Sequence, residues 1–180
     1  MKKRILTISL IAGIVLILVL CGTVISYMFR QTAFVDNKFV PAEVSCKVHE
    51  KFDGVNKTSI QVENTGNIDA YIRVRLVTYW VDAQGNIVAK PSKSIEFECS
   101  DKWIKGSNDT YYYKESIKPG ETYKTDSLIK SNTSLVLAQD GDYYQVVEVF
   151  AEAIQAKPAK AVTNSWKVTL DGNGNITSEQ

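Results

Sequence analysis

The residue pair best suited to chemistry in this sequence is Cys46 and His49, because His49 is the only histidine of the chain. A thiol beside an imidazole is the nucleophile and base of cysteine hydrolases, and both side chains also bind zinc. The surrounding residues alternate between apolar and polar as in a β-strand, where positions three apart point to opposite faces. We therefore expect Cys46 to face the core and His49 the surface, with no catalytic or metal site between them.

The acidic residues give weaker patterns. Glu148 and Glu152 lie four residues apart on a predicted strand, which is more typical of an exposed charged stripe than of a pair of catalytic carboxylates. The sequence DGNGN at 171–175 has the spacing of a tight turn. No phosphate-binding glycine loop, G-x-S-x-G or H-E-x-x-H motif occurs. The sequence therefore predicts neither an enzyme nor a resident cofactor or metal.

Two cysteines, Cys46 and Cys99, follow the apolar N-terminal stretch that contains Cys21. In an oxidising compartment Cys46 and Cys99 are candidates for a disulfide, which would add roughly 2–4 kcal/mol of stability. The alternative is two buried thiols, and the sequence leaves both interpretations open.

The N-terminus has the pattern of an export signal. Lys2, Lys3 and Arg4 precede an uncharged run from Ile5 to Phe29. This run is longer than the usual apolar core of about 7–15 residues in a cleaved signal, and it is long enough to span a bilayer. We predict that residues 1–27 are a signal peptide or transient membrane anchor, and that the chain after it is exported.

The exported part is slightly acidic. The chain has 21 Lys and Arg against 20 Asp and Glu, and the first 27 residues hold three bases and no acid, which leaves 18 against 20 and a net charge of −2. No basic patch interleaved with aromatic residues is present. The sequence thus excludes nucleic acid as a partner, and we expect contact with a membrane only through the uncleaved N-terminal segment.

Past residue 40, short alternating stretches are separated by turn residues, which is typical of antiparallel β-sheets. Two long stretches have one apolar face each, and these faces are Ile72, Val74, Leu76 and Trp80 in the first and Val147, Val149, Ala151 and Ala153 in the second. With almost no helix, the fold class is all-β, a two-sheet antiparallel sandwich over residues 41–170 after the N-terminal signal helix. We assign residues 28–40 to an extended segment and residues 171–180 to a flexible polar tail.

Four phrases of the sequence carry a family resemblance. They are FVDNKFVPAEVSCKV, VENTGNIDAYIRVRLV, KWIKGSNDTYYYKESIKPGETY and VVEVFAEAIQA, in this order. With them the chain resembles the TasA/camelysin-like family of Gram-positive bacteria, and within it the BsaA-type biofilm matrix proteins. The block from Asn64 to Arg73 is the most specific part. The resemblance implies a jelly-roll-like sandwich, cleavage by a W-type signal peptidase, secretion and self-assembly into pilin-like extracellular fibres, with other matrix proteins as further partners.

The resemblance also places the signal cleavage. The signal in this family ends in a boundary of the form G-T-x-x-[AS]-Y-F, which this chain matches at Gly22–Thr23 and at Ser26–Tyr27, with Met28 inserted before the phenylalanine. Cleavage between Ser26 and Tyr27 would leave Val24 and Ser26 at the −3 and −1 positions, which a signal peptidase accepts.

The segment after this cleavage site is suited to strand addition between subunits. Phe29, Gln31, Ala33 and Val35 lie on one, mostly apolar, face of an extended chain, and no proline occurs from residue 27 to residue 39. Such a segment completes the sheet of a neighbouring subunit through main-chain hydrogen bonds, as in donor-strand complementation. The alternative is that these residues form a flexible stalk or the first strand of their own subunit.

Two other functions stay open at this stage. The first is a monomeric, membrane-anchored binding module at the cell surface, with Trp103 and Tyr111–Tyr113 as an aromatic ligand face. The second is an enzyme, since camelysin-like relatives have been described as metalloproteases, although the sequence lacks the ligands that this activity needs.

Overall fold

The structure, a computed structural model of the 180-residue chain, describes residues 2–31, 40–120, 122 and 124–180. The chain divides into two compact units, residues 1–40 and residues 41–180. The first unit holds helix α1 (Lys2–Gln31), in which residues Leu10–Tyr27 have a mean hydropathy of 2.6. By length and composition this helix is able to cross a membrane. The predicted N-terminal apolar helix is confirmed, and it is compatible with a signal sequence or a membrane anchor.

The second unit is built mainly of antiparallel β-strands. Its elements in chain order are β1 (Cys46–Phe52), β2 (Asn56–Asn64), β3 (Ala70–Val81), β4 (Ile87–Val88), β5 (Trp103–Lys105), β6 (Thr110–Tyr113), β7 (Leu135–Val136), β8 (Gln139–Asp140), β9 (Tyr143–Gln155), α2 (Lys160–Trp166), β10 (Val168–Leu170) and β11 (Ile176–Glu179). The predicted antiparallel β-fold is confirmed at this level.

The first sheet is built around β2. β1 pairs with β2 over its whole length, and β7 pairs with the first two residues of β2 on the other side. The segment 124–130 continues along that other side, where the amide of Thr125 donates to the carbonyl of Val62 and the amide of Leu128 to the carbonyl of Ile60. β1 is therefore the outermost strand on its side of this sheet.

The second sheet has the order β5-β6-β3-β9-β8, with β4 beside the end of β3. β3 and β9 are the longest strands and pair along their entire length, from Ala70 opposite Gln155 to Val81 opposite Tyr144. β8 covers the other side of β9 only at Tyr143 and Tyr144. Among the residues that the structure describes, most of β9 is therefore paired on one side only.

Both sheets contribute side chains to one apolar core. Its fully or almost fully buried members from the long strands are Ile60, Val62, Ile72, Val74, Leu76 and Val147. Burying one side chain of this size stabilises the fold by about 1.5–3 kcal/mol. The predicted apolar faces of β3 and β9 are confirmed by this core, which holds the two sheets together.

The C-terminal residues form a second cluster, which corrects the prediction of a flexible tail at 171–180. β10 and β11 make a hairpin, and Ile176 is buried with Trp166 against Tyr112 on the other face of the second sheet. The amide of Ile176 donates to the carbonyl of Lys114 at 2.8 Å. A single buried isoleucine among polar residues leaves no periodic pattern in the sequence, which is why the hairpin was not predicted.

Candidate functional site: two open edge strands

The NTGN motif at 64–67 fastens the chain that enters β1. The amide of Asn67 donates to the carbonyl of Glu43 at 3.0 Å, and the Asn67 side chain accepts from the amide of Glu43 and donates to the carbonyl of Pro41, both at 2.8 Å. A Cβ at Gly66 would collide with the carbonyl oxygen of Glu43, so this close approach requires glycine. The motif thus fixes where residue 41 joins the folded unit.

The buried side chain of Asn64 stabilises this loop by hydrogen bonds to its backbone. Its side chain is fully buried, donates to the carbonyls of Ile68 and Ile117 at 2.8 Å each, and accepts from the amide of Gly66 at 3.1 Å. A buried amide with all of these partners makes the loop conformation specific. The start of β1 is therefore held in place by side chains rather than by the sheet alone.

β1 pairs on one side only, and in the part of the chain that the structure describes no strand pairs with its other side. Backbone groups of an antiparallel strand alternate between its two sides. The carbonyl of Ser45 accepts from the amide of Thr65 at 3.0 Å, so every second residue from Ser45 onward bonds to β2. It follows that Cys46, Val48 and Glu50 direct their N–H and C=O groups to the open side.

β9 is open in the same way beyond its short pairing with β8. The amide of Ala156 donates to the carbonyl of Asp69 at 2.8 Å, so alternate residues counted back from Ala156 bond to β3. The residues between them, Val149, Ala151 and Ala153, direct their backbone groups outward. Their side chains pack against the apolar core. Each open strand therefore offers free backbone groups at residues whose side chains face inward.

The two open strands lie next to each other, and we name the strip between them the open seam. It is lined by the partly buried side chains of Cys46, Val48, Val149, Ala151 and Ala153. Cα atoms of β1 and β9 lie within 8 Å of each other, although no backbone pairing joins the two strands among the described residues. A strand inserted between them needs about twice the pairing distance of roughly 4.8 Å, so the two edges have to separate by about 2 Å or more to admit it.

The side chains of the seam are mainly apolar and unreactive. Burial raises the pKa of the Cys46 thiol, and the negative charge of Glu152 raises it further, so the thiol is neutral at physiological pH and not a nucleophile. The polar exception is Glu50, whose carboxylate pairs with the buried ammonium of Lys57 at 2.6 Å. The seam thus offers a mainly apolar lining with one ion pair, Glu50 with Lys57.

The residues predicted for signal cleavage and strand donation lie largely in the first unit. Ser26, Tyr27, Phe29 and Gln31 belong to α1, whose helical backbone ends at Gln31. Ala33 and Val35 lie outside the described residues. In the uncleaved chain residues 28–31 are therefore helical, and the extended segment at 28–40 stays a prediction for the cleaved chain.

Cys46 and Cys99 are free thiols in the structure. The backbone of Cys99 pairs with that of Ile129 in an isolated antiparallel β-bridge. β2 and the segment 124–130 therefore lie between the two cysteines. Three strand spacings amount to about 14 Å, whereas a disulfide requires Cα atoms about 4.4–6.8 Å apart. The structure does not bring these cysteines together, and both thiols are partly buried rather than fully buried.

The aromatic residues considered as a ligand face are buried. Trp103, Tyr111, Tyr112 and Tyr113 are at most 4% exposed. Tyr111 and Tyr113 face the core between the sheets, and Tyr112 faces the second cluster, because successive strand residues point to opposite faces and both faces of β6 are covered. Burial raises the pKa of Tyr111 and Tyr113 to about 12. The aromatic platform of the alternative binding module is therefore not at the surface.

The pair Cys46 and His49 is separated as the sequence predicts. Cys46 packs on the core, while the imidazole Nε2 of His49 lies 2.7 Å from the Glu63 carboxylate on the outer face of the first sheet. Among the described residues no group of three or more His, Cys, Asp and Glu is placed to hold a metal ion. That the chain is not an enzyme stays a prediction.

No protein-family model, curated protein or solved structure matches this chain. The resemblance to the TasA/camelysin-like family therefore depends on the four sequence phrases. Independently of that resemblance, the described geometry is that of a β-protein with two neighbouring unpaired edge strands. Such edges accept a further strand.

Proposed function

We propose that this chain is a secreted structural subunit that self-assembles into extracellular biofilm matrix fibres. After signal cleavage, its N-terminal segment adds as a strand to the open seam of the next copy. The observation that carries this proposal is the seam, in which free backbone groups and inward side chains belong to the same residues of β1 and β9. The partners are other copies of the chain, further matrix proteins and the signal peptidase that processes it.

The composition of the seam supports strand addition. Proteins usually protect an exposed edge strand with proline, with charged side chains turned inward or with a covering segment. β9 turns only valine and alanine inward at 147, 149, 151 and 153. Alanine side chains leave space for larger ones, and the predicted donor face supplies Phe29 and Val35 together with Gln31 and Ala33. Main-chain hydrogen bonds to both open strands would supply the affinity.

The finer fold assignment belongs to the same proposal. A jelly-roll-like sandwich has two facing antiparallel sheets, and the two sheets here share one core. The chain passes from the first sheet to the second between β7 and β8 within two residues. A sandwich that lacks one strand between neighbouring edges is the form that strand addition completes.

Cleavage acts as the switch in this proposal. Before it, residues 28–31 continue the apolar helix α1, and a segment in a membrane helix cannot enter a sheet. The first test is the N-terminal residue and apparent size of the protein in an unboiled cell-surface extract. A terminus at Tyr27 in a high-mass ladder is the expected result. An intact N-terminus on a monomer would contradict the proposal and favour the anchored binding module.

The seam itself is tested by Ala151→Lys, which turns a charge inward at the open edge. We expect the polymer fraction to fall on the order of tenfold or more, with cleavage unchanged, because an inward charge opposes pairing at an edge. Phe150→Lys is the matched control, since Phe150 is the next residue of the same strand, is 51% exposed and faces away from the core. Equal ladders from the two variants would show that the seam is not the acceptor.

A further inference from the structure

The exposed large apolar side chains of residues 41–180 gather at one end of the two sheets. Among the described residues of this unit there are seven such side chains, and all but Phe150 lie at the end where β1 passes into β2 and β8 into β9. The six are Phe52, Val55, Ile87, Val136, Tyr143 and Tyr144. We name this end the far end.

The pairing of the strands shows that these residues share one end. Val136 pairs with the first residue of β2, and three residues later Gln139 pairs with Tyr144 at the start of β9. The chain therefore crosses from one sheet to the other here. Val81, the last residue of β3, lies opposite both Tyr144 and Ile87. An apolar concentration of this kind on an otherwise polar surface marks an interaction site.

The opposite end, the near end, is where residue 41 joins the unit. Asn67 binds Pro41 and Glu43 at this end, and β3 begins there. A cleft of about 320 Å³ lies at the near end and is lined by Ala42, Ile68, Asp69, Gln155 and Lys157. The N-terminal segment thus leaves the unit beside a cleft with apolar side chains.

We infer that the far end of one subunit docks on the near end of a second copy of this chain. The inference rests on the proposed strand addition. A segment that leaves at the near end and enters the seam of the next subunit places that subunit beyond the near end. If two near ends met, the two copies would exchange strands and close as a dimer. The contact that continues a fibre joins unlike ends, which is a heterologous and non-closing contact.

The length of the segment requires the two subunits to touch. Residues 27–39 number 13, and at about 3.3 Å per residue they span roughly 43 Å when extended. The open part of β9 is residues 146–155, which follow Gln145 and the pairing with β8. It is ten residues and roughly 33 Å long. A segment that fills the seam keeps only about 10 Å to bridge the subunits. The ends therefore come into direct contact.

The charges of the two ends also match. The far end has Lys51 and Asp53 on either side of Phe52, and the near-end cleft has Asp69 and Lys157. Each base of one end has an acid available on the other, around an apolar centre. This arrangement allows charge pairing between two copies of the chain, and the preference for unlike ends follows from the path of the donated segment.

The test is Val136→Asp in the full chain, exported and processed by cells. Val136 is 61% exposed, so the change removes little burial in the single subunit. We expect the ladder to shift to monomers, with a loss of polymer on the order of tenfold or more and the same N-terminus, since the new carboxylate would be desolvated in the contact. Phe150→Asp is the matched control and should keep the ladder. A ladder from Val136→Asp equal to that of Phe150→Asp would overturn the inference.

A second measurement identifies the partner surface even if Val136→Asp fails to fold. Chains with Val55→Cys and chains with Ala42→Cys, tagged to different sizes, are co-expressed and treated with a short bis-maleimide, with the unsubstituted chain as background. We expect cross-links between the two kinds of chain. Cross-links among Val55→Cys chains alone, or none above background in an intact ladder, would overturn the end contact while strand addition stands. A wild-type chain that is cleaved but monomeric would remove strand addition itself.

Discussion

The two sides of the second sheet differ in what packs on them outside the sheet. On the side of β5 and β6, the C-terminal hairpin covers the strands, and the amide of Ile176 donates to the carbonyl of Lys114. The Glu179 carboxylate accepts from the amide of Ser107 at 2.6 Å and from the Tyr112 hydroxyl at 2.8 Å. On the side of β9, no strand among the described residues pairs with the edge beyond Tyr144.

The hairpin therefore covers the face of the second sheet at β6, whereas the edge of β9 lacks a partner strand among the described residues. A covered face adds stability to the single subunit, whereas an edge without a partner lacks the contribution of a further strand. In the proposed function the neighbouring copy supplies that strand. The stability of the open side then depends on assembly, and that of the covered side does not.

The largest effect on the single subunit is expected from damage to the covered side. Ile176 is 1% exposed, and Ile176→Ala removes three carbons from the second cluster. We expect a loss of about 2–5 kcal/mol in the free energy of unfolding, because the space left by the side chain cannot collapse completely. Urea unfolding of residues 41–180 measures it. The exposed Ser178→Ala in the same strand is the control, and equal midpoints for the two variants would refute the covering role of the hairpin.

A smaller effect is expected at the loop that starts the open side. Asn64→Ala leaves the carbonyl of Ile68 without the Asn64 donor and removes one of two donors from the carbonyl of Ile117, which keeps the amide of Ala70, and we expect a loss of about 2 kcal/mol. Hydrogen exchange at the amides of Thr65 and Asn67 should accelerate in the variant, since both donate to the chain before β1. Unchanged exchange would mean that the loop does not hold the start of β1.

The matched change for this loop is Asn67→Ala. Its side-chain hydrogen bonds to Glu43 and Pro41 are exposed to water, so their loss should reduce stability by less than about 1 kcal/mol. Comparing the unfolding free energies of the two variants separates two contributions. The buried Asn64 side chain stabilises the loop conformation, and the exposed Asn67 side chain binds residues 41 and 43 to the loop.

The strand faces of this fold were predictable, because period-two patterns in long strands survive in the sequence. β3 and β9 show this for 12 and 13 residues. The Ala- and Glu-rich end of β9 has a helical composition, yet pairing with β3 keeps it extended. The seven-residue helix α2 was not predicted, since it is too short to display a helical period.

The open seam was only partly predictable. The sequence gives the inward residues of β9, but which side of a strand stays unpaired depends on strands far away in the chain. In the first sheet the segment 124–130 adds to the side of β2 that is away from β1, and among the described residues no strand adds to the outer side of β1. Tyr112 of β6 shows the same limit, because its burial depends on the C-terminal hairpin, whose Glu179 lies 67 residues later in the chain.

The smallest expected effect separates the two sides by pH. Hydrogen bonds from the Ser107 amide and the Tyr112 hydroxyl lower the pKa of Glu179 below its usual value. A carboxyl group with a lower pKa in the folded state adds stability above its unfolded pKa of about 4.3, and that stability is lost as the pH falls through the folded value. Because water reaches this carboxylate, the change in unfolding free energy is under about 1 kcal/mol.

The amide chemical shift of Ser107 is the measurement for this prediction, since that amide donates to Glu179. It should titrate below pH 4.3, and Glu179→Gln should abolish the titration. Glu179→Gln should leave the amide shift of Val48 in the open seam unchanged over the same pH range, because Glu179 contacts Ser107 and Tyr112 on the covered side. A change in the Val48 titration in this variant would mean that the covered and open sides respond as one unit.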